Sequence, residues 1–161
     1  MARLLIVHHS PTPATRLLTE TVVAGASDAA IEGVEVVSRL ALDVQLEDLL
    51  GADGYLIGTS ANFGYMSGAV KHFFDSFFLQ LGGALSDDGS ASPGSDGKKP
   101  YGLWVHGRYD TTGAVRSVQS IVGALPWVQS AAVLEVMGDV EQSDLDAAYE
   151  LGGTVAALLM S

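Results

Sequence analysis

Short apolar runs alternate with longer stretches of helical periodicity from one end of the chain to the other. A parallel sheet covered on both faces by crossover helices produces that rhythm. Arg3–His8 (RLLIVH) reads as the first buried strand, and a helix is predicted from about Pro13 to Ala26, with Leu17, Leu18, Thr21, Val22 and Gly25 along one stripe. Val34–Ser38 is the second strand, and a short helix near Val44–Leu50 leads into the third, Gly54–Thr59 (GYLIGT). The clearest amphipathic helix covers Gly68–Leu81: Val70, Phe73, Phe74, Phe77, Phe78 and Leu81 fall on one face, while Lys71, Asp75 and Gln80 fall on the other. Ser67 is its expected N-cap and Gly82-Gly83 its stop. Ala84–Lys99, rich in Ser, Gly and Asp, reads as a surface loop. Tyr101–Val105 follows as strand four, Gly113–Leu125 as a helix ending before Pro126, Ala131–Met137 as strand five, and Asp144–Leu159 as a last helix capped by Ser143. With no internal repeat, the pattern predicts one α/β domain over residues 1–161 with a five-stranded parallel sheet. The phenylalanines of the third helix read as core.

The chain has no cysteine, which excludes disulfides, thiolate metal sites and cysteine nucleophiles and suits a reducing, cytoplasmic setting. The first fifteen residues read as a strand and not as a signal peptide, and no apolar stretch approaches the roughly 18 residues that insertion into a membrane requires. The net charge of −11 repels nucleic-acid phosphates and would steer a basic redox partner, or simply keep the protein in solution. The four histidines lack metal-ligand spacing.

In an open α/β sheet, ligands sit beyond the carboxyl ends of the strands where the winding reverses. Strand one ends in His8-His9-Ser10-Pro11-Thr12-Pro13-Ala14-Thr15-Arg16. With Thr12 as N-cap and Pro13 at the first helical position, the N–H groups of Ala14, Thr15 and Arg16 would point outward beside the hydroxyls of Ser10, Thr12 and Thr15. That makes a cradle for a phosphate monoester at the positive end of the helix; the plainer alternative is that these residues merely start the helix. Neither a Walker loop nor a Gly-x-Gly-x-x-Gly fingerprint is present.

After strand three the run Ala52-Asp53-Gly54 … Gly58-Thr59-Ser60-Ala61-Asn62-Phe63-Gly64-Tyr65-Met66-Ser67-Gly68, with Lys71, Phe73 and Asp75 beyond it, resembles flavodoxin-like FMN proteins. It looks most like the NAD(P)H-dependent FMN reductase and flavodoxin-type quinone reductase branches. The departures are Ser60, Ala61 and Asn62, where those families carry Pro, Thr and Tyr, and Pro13 in place of a phosphate-loop Gly. The resemblance implies a three-layer sandwich with strand order 2-1-3-4-5 and a bound FMN. Its phosphate would lie at Ser10–Arg16 and its ring against Thr59, Ser60, Ala61, Asn62, Phe63 and Gly64. Gly58 and Gly64 would let the backbone approach the ring, and Phe63 could stack on it or cover the core.

The resemblance places a second ring-contacting loop at His106, Gly107, Arg108 and Tyr109, after strand four. Gly107 and Gly113 would allow close approach and Tyr109 would flank the ring. Arg108 could attract an anionic substrate or form a surface ion pair with Asp110, and His106 could contact the ring or serve structure. The function implied is an FMN-dependent oxidoreductase passing hydride from NAD(P)H to a quinone or free flavin. The alternative is a one-electron carrier serving a redox protein. No catalytic side chain is assigned, and a homo-oligomer is compatible with either function. A phosphorelay receiver lacks its carboxylate at Thr59, a serine hydrolase lacks its Gly-x-Ser-x-Gly elbow, and a cofactor-free relic of the fold stays open.

Overall fold

The computed structural model describes residues 1–94 and 97–161. In chain order the elements are β1 (Ala2–His8), α1 (Pro13–Ala26), β2 (Val34–Leu40), a 3-10 turn at Ala41–Asp43, α2 (Leu46–Leu50), β3 (Gly54–Asn62), β4 (Tyr65–Met66) and α3 (Gly68–Phe77). They continue with β5 (Gly83–Leu85), β6 (Ala91–Pro93), β7 (Lys99–Gly107), α4 (Thr112–Val122), β8 (Trp127–Gln129), β9 (Leu134–Met137) and α5 (Gln142–Ala157).

The main sheet is parallel in the order β2-β1-β3-β7, and both β8 and β9 complete it beside β7. This is the expected 2-1-3-4-5 winding, with the fifth position filled by two segments of chain. Trp127–Gln129 pairs with Lys99–Tyr101 and Leu134–Met137 with Trp104–Gly107. Strand five was expected as Ala131–Met137; its first three residues lie in the break between β8 and β9.

Successive residues of β1 explain the two covered faces. Leu5 and Val7 join the core beneath α3 and α4, with Phe73, Phe74, Val118 and Trp127. Leu4 and Ile6 join the opposite core beneath α1 and α5, with Leu18, Val22, Leu151 and Val155. A stretch buried on both sides must be apolar at every position, and Leu4-Leu5-Ile6-Val7, the fully buried middle of β1, is.

Other differences from the sequence expectation lie at element ends. α5 begins two residues earlier than predicted, because Glu141, not Ser143, is its N-cap and Asp144 sits at the third helical position in a reciprocal capping box. The Gly68–Leu81 helix stops at Phe77, and the chain then turns so that Leu81 N–H bonds the Phe77 carbonyl. Inside the Ala84–Lys99 segment, β5 and β6 form a small antiparallel hairpin; residues 95 and 96 of that expected loop lie outside the described part. No described helix is long and apolar enough to cross a membrane.

Candidate functional site

The loops after β1, β3 and β7 emerge side by side at the carboxyl edge of the sheet, and a cavity of about 710 Å³ opens between them. A volume of this order suits a cofactor-sized molecule (about 300–1,000 Å³). The cavity brings together Thr12, Ala14 and Thr15; Ser60 to Gly64; and His106 to Tyr109, with Pro11, Pro13 and Asp110 at its margin. Three of the expected residues stand elsewhere. Ser10 and Arg16 face a separate, smaller cavity between α1 and β2. Thr59 is buried: its hydroxyl accepts from Ser67 N–H at 2.9 Å and donates to the Ser60 carbonyl at 2.8 Å.

The first wall is the start of α1. Thr12 is the N-cap and Pro13 occupies the first turn, as the sequence implies. The expectation of three outward N–H groups is corrected. Thr15 N–H bonds Thr12 Oγ1 at 3.2 Å, and Arg16 N–H makes the first intrahelical bond to the Thr12 carbonyl at 2.9 Å. A capping box satisfies the helix end from within, because Thr12 N–H in turn donates to Thr15 Oγ1 at 3.0 Å. Ala14 N–H has no acceptor among the described residues, and the first turn carries no acidic side chain. The positive end of a 14-residue helix therefore faces the cavity without an anion in its own first turn. Ser10 is held away from this wall: its Oγ lies 2.7 Å from His8 Nδ1 and 2.7 Å from Thr19 Oγ1. Burial, reinforced by His9, pushes the His8 pKa down.

The second wall is a two-residue hairpin. Asn62 pairs with Tyr65 across β3 and β4, and Phe63 and Gly64 between them have φ of 51° and 78°. Both central positions of such a turn require positive φ, which Gly64 adopts freely and Phe63 does not. Phe63 is the sole non-glycine residue at positive φ among those described, and its ring is fully exposed. A bulky aromatic held in a disfavoured conformation with nothing covering it marks a candidate functional position. Behind it, Ser60 Oγ is buried at the cavity wall without a hydrogen-bond partner, one of two such side-chain atoms among the described residues.

The third wall is the β7–α4 loop. Tyr109 is almost fully exposed and faces the same cavity as Phe63. His106 is buried and donates from Nε2 to the Gly138 carbonyl at 2.7 Å, so it ties β7 to the segment after β9 while its ring edge borders the cavity. Arg108 forms a surface ion pair, with Asp139 at 3.1 Å and not with Asp110. Asp110 instead accepts from Thr112 N–H at 2.9 Å, and that backbone bond holds its pKa down.

Gly64 and Gly107 line the cavity, whereas Gly58 and Gly113 serve a different purpose from the one expected. A Cβ on Gly58 would sit 2.0 Å from the Trp104 ring, so Gly58 makes room for a core side chain and not for a ligand. Gly113 lets α4 meet the hairpin, since a Cβ there would lie 1.9 Å from the Gly64 carbonyl oxygen. Likewise Met66 and Ser67 are buried, and Ser67 Oγ caps α3 by accepting from Val70 N–H. Sequence reasoning missed that Ser60 would be left unpartnered and that Phe63 would be strained. The Asn62-Phe63-Gly64 string after an apolar strand carried the second of these signals.

An open parallel sheet with its cavity over the point where strand order reverses, between β1 and β3, defines a doubly wound α/β domain. The fold is flavodoxin-like. A flavodoxin of Aquifex aeolicus (strain VF5) is 33% identical over 85 residues, covering 53% of this chain. The chain spans 45% of that relative's length. A flavodoxin from the domain Archaea superposes with a TM-score of 0.74 over 98% of both chains at 17% identity. A flavodoxin, WrbA-like protein from Agrobacterium tumefaciens gives 0.71 over 99% of this chain and 98% of that one, also at 17% identity. No family model matches the sequence.

Proposed function

We propose that this protein binds FMN non-covalently in the 710 Å³ cavity and carries electrons with it. The observation that carries this reading is the pairing of two uncovered aromatic rings, Phe63 and Tyr109, across one cavity whose wall holds an unpartnered Ser60 hydroxyl. A flat heteroaromatic with polar edges answers both features, by stacking and by hydrogen bonding. The residues fit the rest of the nucleotide as well. Ala14 N–H and the hydroxyls of Thr12 and Thr15 would take the phosphate at the α1 N-terminus. The bound flavin would supply the reversible redox chemistry. The protein would orient it, exclude water from its faces and set its potential through the polar groups at its edge.

Two aromatics bordering one ring would restrict approach to its faces and favour transfer at its edge. This supports a carrier that serves a redox protein, in line with the flavodoxin name of the matching relative. The NAD(P)H reductase reading rests on the sparse aromatic supply around the ring and on the Met66-Ser67-Gly68 run, in which Met66 and Ser67 are buried here and Ser67 caps α3. The cysteine-free chain suits a cytoplasmic setting, and its acidity would steer a basic partner.

Titration of FMN with the purified protein should quench flavin fluorescence at one-to-one stoichiometry, and riboflavin, lacking the phosphate, should bind about tenfold or more weakly. Failure to quench would end the FMN reading. With FMN loaded, anaerobic NADH or NADPH should leave the yellow absorption band in place while dithionite removes it. Rapid bleaching by the nicotinamide would restore the reductase.

Ser60→Ala separates binding from folding at the same site. Removing an unpartnered buried hydroxyl should leave urea stability unchanged or raise it by up to about 1 kcal/mol, while FMN affinity falls about fivefold or more. Unchanged affinity would take Ser60 out of the site.

A further inference from the structure

The main sheet has one long open edge. β2 is its terminal strand, with seven consecutive residues, Val34–Leu40, in register with β1. No described strand pairs with its outer side. Open edges are ordinarily blunted by Lys, Pro, a bulge or a very short strand, because a row of unpaired N–H and C=O groups recruits another chain. β2 has no Lys, Pro or bulge, and Glu35 and Arg39 are its two charges: its sequence is VEVVSRL, its pairing is unbroken, and none of its residues has positive φ.

Its side chains are arranged to accept one particular neighbour. Glu35, Val37 and Arg39 lie on the same face of β2, because residues two apart share a face. About a two-fold axis at Val37, an antiparallel second β2 would set Glu35 opposite Arg39 of the other copy, and Arg39 opposite its Glu35. On the opposite face, Val34 would meet Leu40. Opposite charges directly across an antiparallel pair attract. Each charge already has an internal partner: Arg3 is 2.9 Å from Glu35 and Arg39 is 3.3 Å from Asp48. Joining two edges would therefore extend these pairs into an alternating row of Arg3, Glu35, then Arg39 and Asp48 of the second copy. The four side chains sum to zero in a chain that otherwise carries eleven excess negative charges. Leu42, two residues beyond the strand, and the α2 residues Leu46 and Leu50 are exposed apolar side chains.

We propose that β2 is a self-complementary docking edge that joins two copies of this chain antiparallel about Val37 into one continuous sheet. Such a contact is isologous, using the same patch on both copies. Antiparallel pairing places the carboxyl ends of the two sheets at opposite ends, so both cavities stay open. The proposal is independent of what those cavities bind.

Sedimentation of the full chain at sub-millimolar concentration should give twice the 16.7 kDa chain mass. Arg39→Glu would set like charges against Glu35 of the other copy and should return the protein to monomer, as should Glu35→Arg. The double exchange Glu35→Arg/Arg39→Glu restores opposite charges across the axis and should recover the dimer. Far-UV circular dichroism identifies any variant that has lost its fold. Hydrogen exchange of the unmodified chain provides a reading without substitutions: the alternate amides of residues 34–40 that face away from β1 should gain at least tenfold protection between dilute and concentrated samples. A monomer throughout the concentration range, a dimer indifferent to all three substitutions, or concentration-independent exchange at β2 would overturn it.

Discussion

Gly152→Ala should destabilise the domain by about 3 kcal/mol, near the upper end of the usual cost of overpacking. The same change at the adjacent Gly153 should stabilise it by up to about 1 kcal/mol, as expected when Gly becomes Ala in a helix interior. Both residues lie inside α5, and helix propensity alone would predict the same gain for each. Packing separates them. A Cβ on Gly152 would sit 2.0 Å from the Val22 carbonyl oxygen and 2.9 Å from Ala26 N, both backbone atoms of α1 that cannot rotate away. On Gly153 it would lie 3.4 Å from the Gly25 carbonyl, an ordinary contact. Gly25 completes the seam from the other side, since its own Cβ would lie 1.9 Å from the Tyr149 carbonyl. The two helices therefore touch backbone to backbone, and forcing them apart would open the core around Leu18, Val22, Leu151 and Val155. Urea denaturation of the two variants reads the difference directly. Equal shifts would show that the helices do not rest on one another at Gly152.

These two glycines also mark where the sequence is readable and where it is not. Leu4-Leu5-Ile6-Val7 announces a strand buried on both sides because no polar residue interrupts it, and that strand anchors the sheet order. The three loops of the cavity were equally legible, since each follows such a strand at the edge where ligands bind. What local pattern could not carry is the identity of the neighbour across a gap. Gly58 and Gly64 look alike in sequence, yet one is required by Trp104 from β7 and the other by its own turn. Ser10 and Thr12 both precede α1, but Ser10 turns to His8 and Thr19 and leaves the cavity, whereas Thr12 stays. The break between β8 and β9 was invisible for the same reason. Pairing with β7 holds both segments in the sheet, and neither one is long enough to announce itself alone.

The second large effect is expected at Phe63, where stability and binding should move in opposite directions. Phe63→Asn puts the favoured Asn-Gly pair at the tip of the β3–β4 hairpin. Asn tolerates the left-handed conformation that costs a bulky residue about 1–2 kcal/mol, and it adds none of the chain entropy that a second glycine would. Because the Phe63 ring touches water on all sides, its loss removes no core contact. The urea midpoint of the ligand-free protein should therefore rise, by the equivalent of about 1 kcal/mol. FMN affinity should fall about tenfold, since the stacking surface that the strained turn holds out is gone; an aromatic pair contributes about 0.5–1.5 kcal/mol beyond its buried area. With FMN in large excess, the variant's advantage should shrink or reverse, because ligand stabilises the native state in proportion to the logarithm of its saturation. A more stable variant that binds FMN as tightly as the parent would show that Phe63 is held over the cavity for something other than the flavin ring.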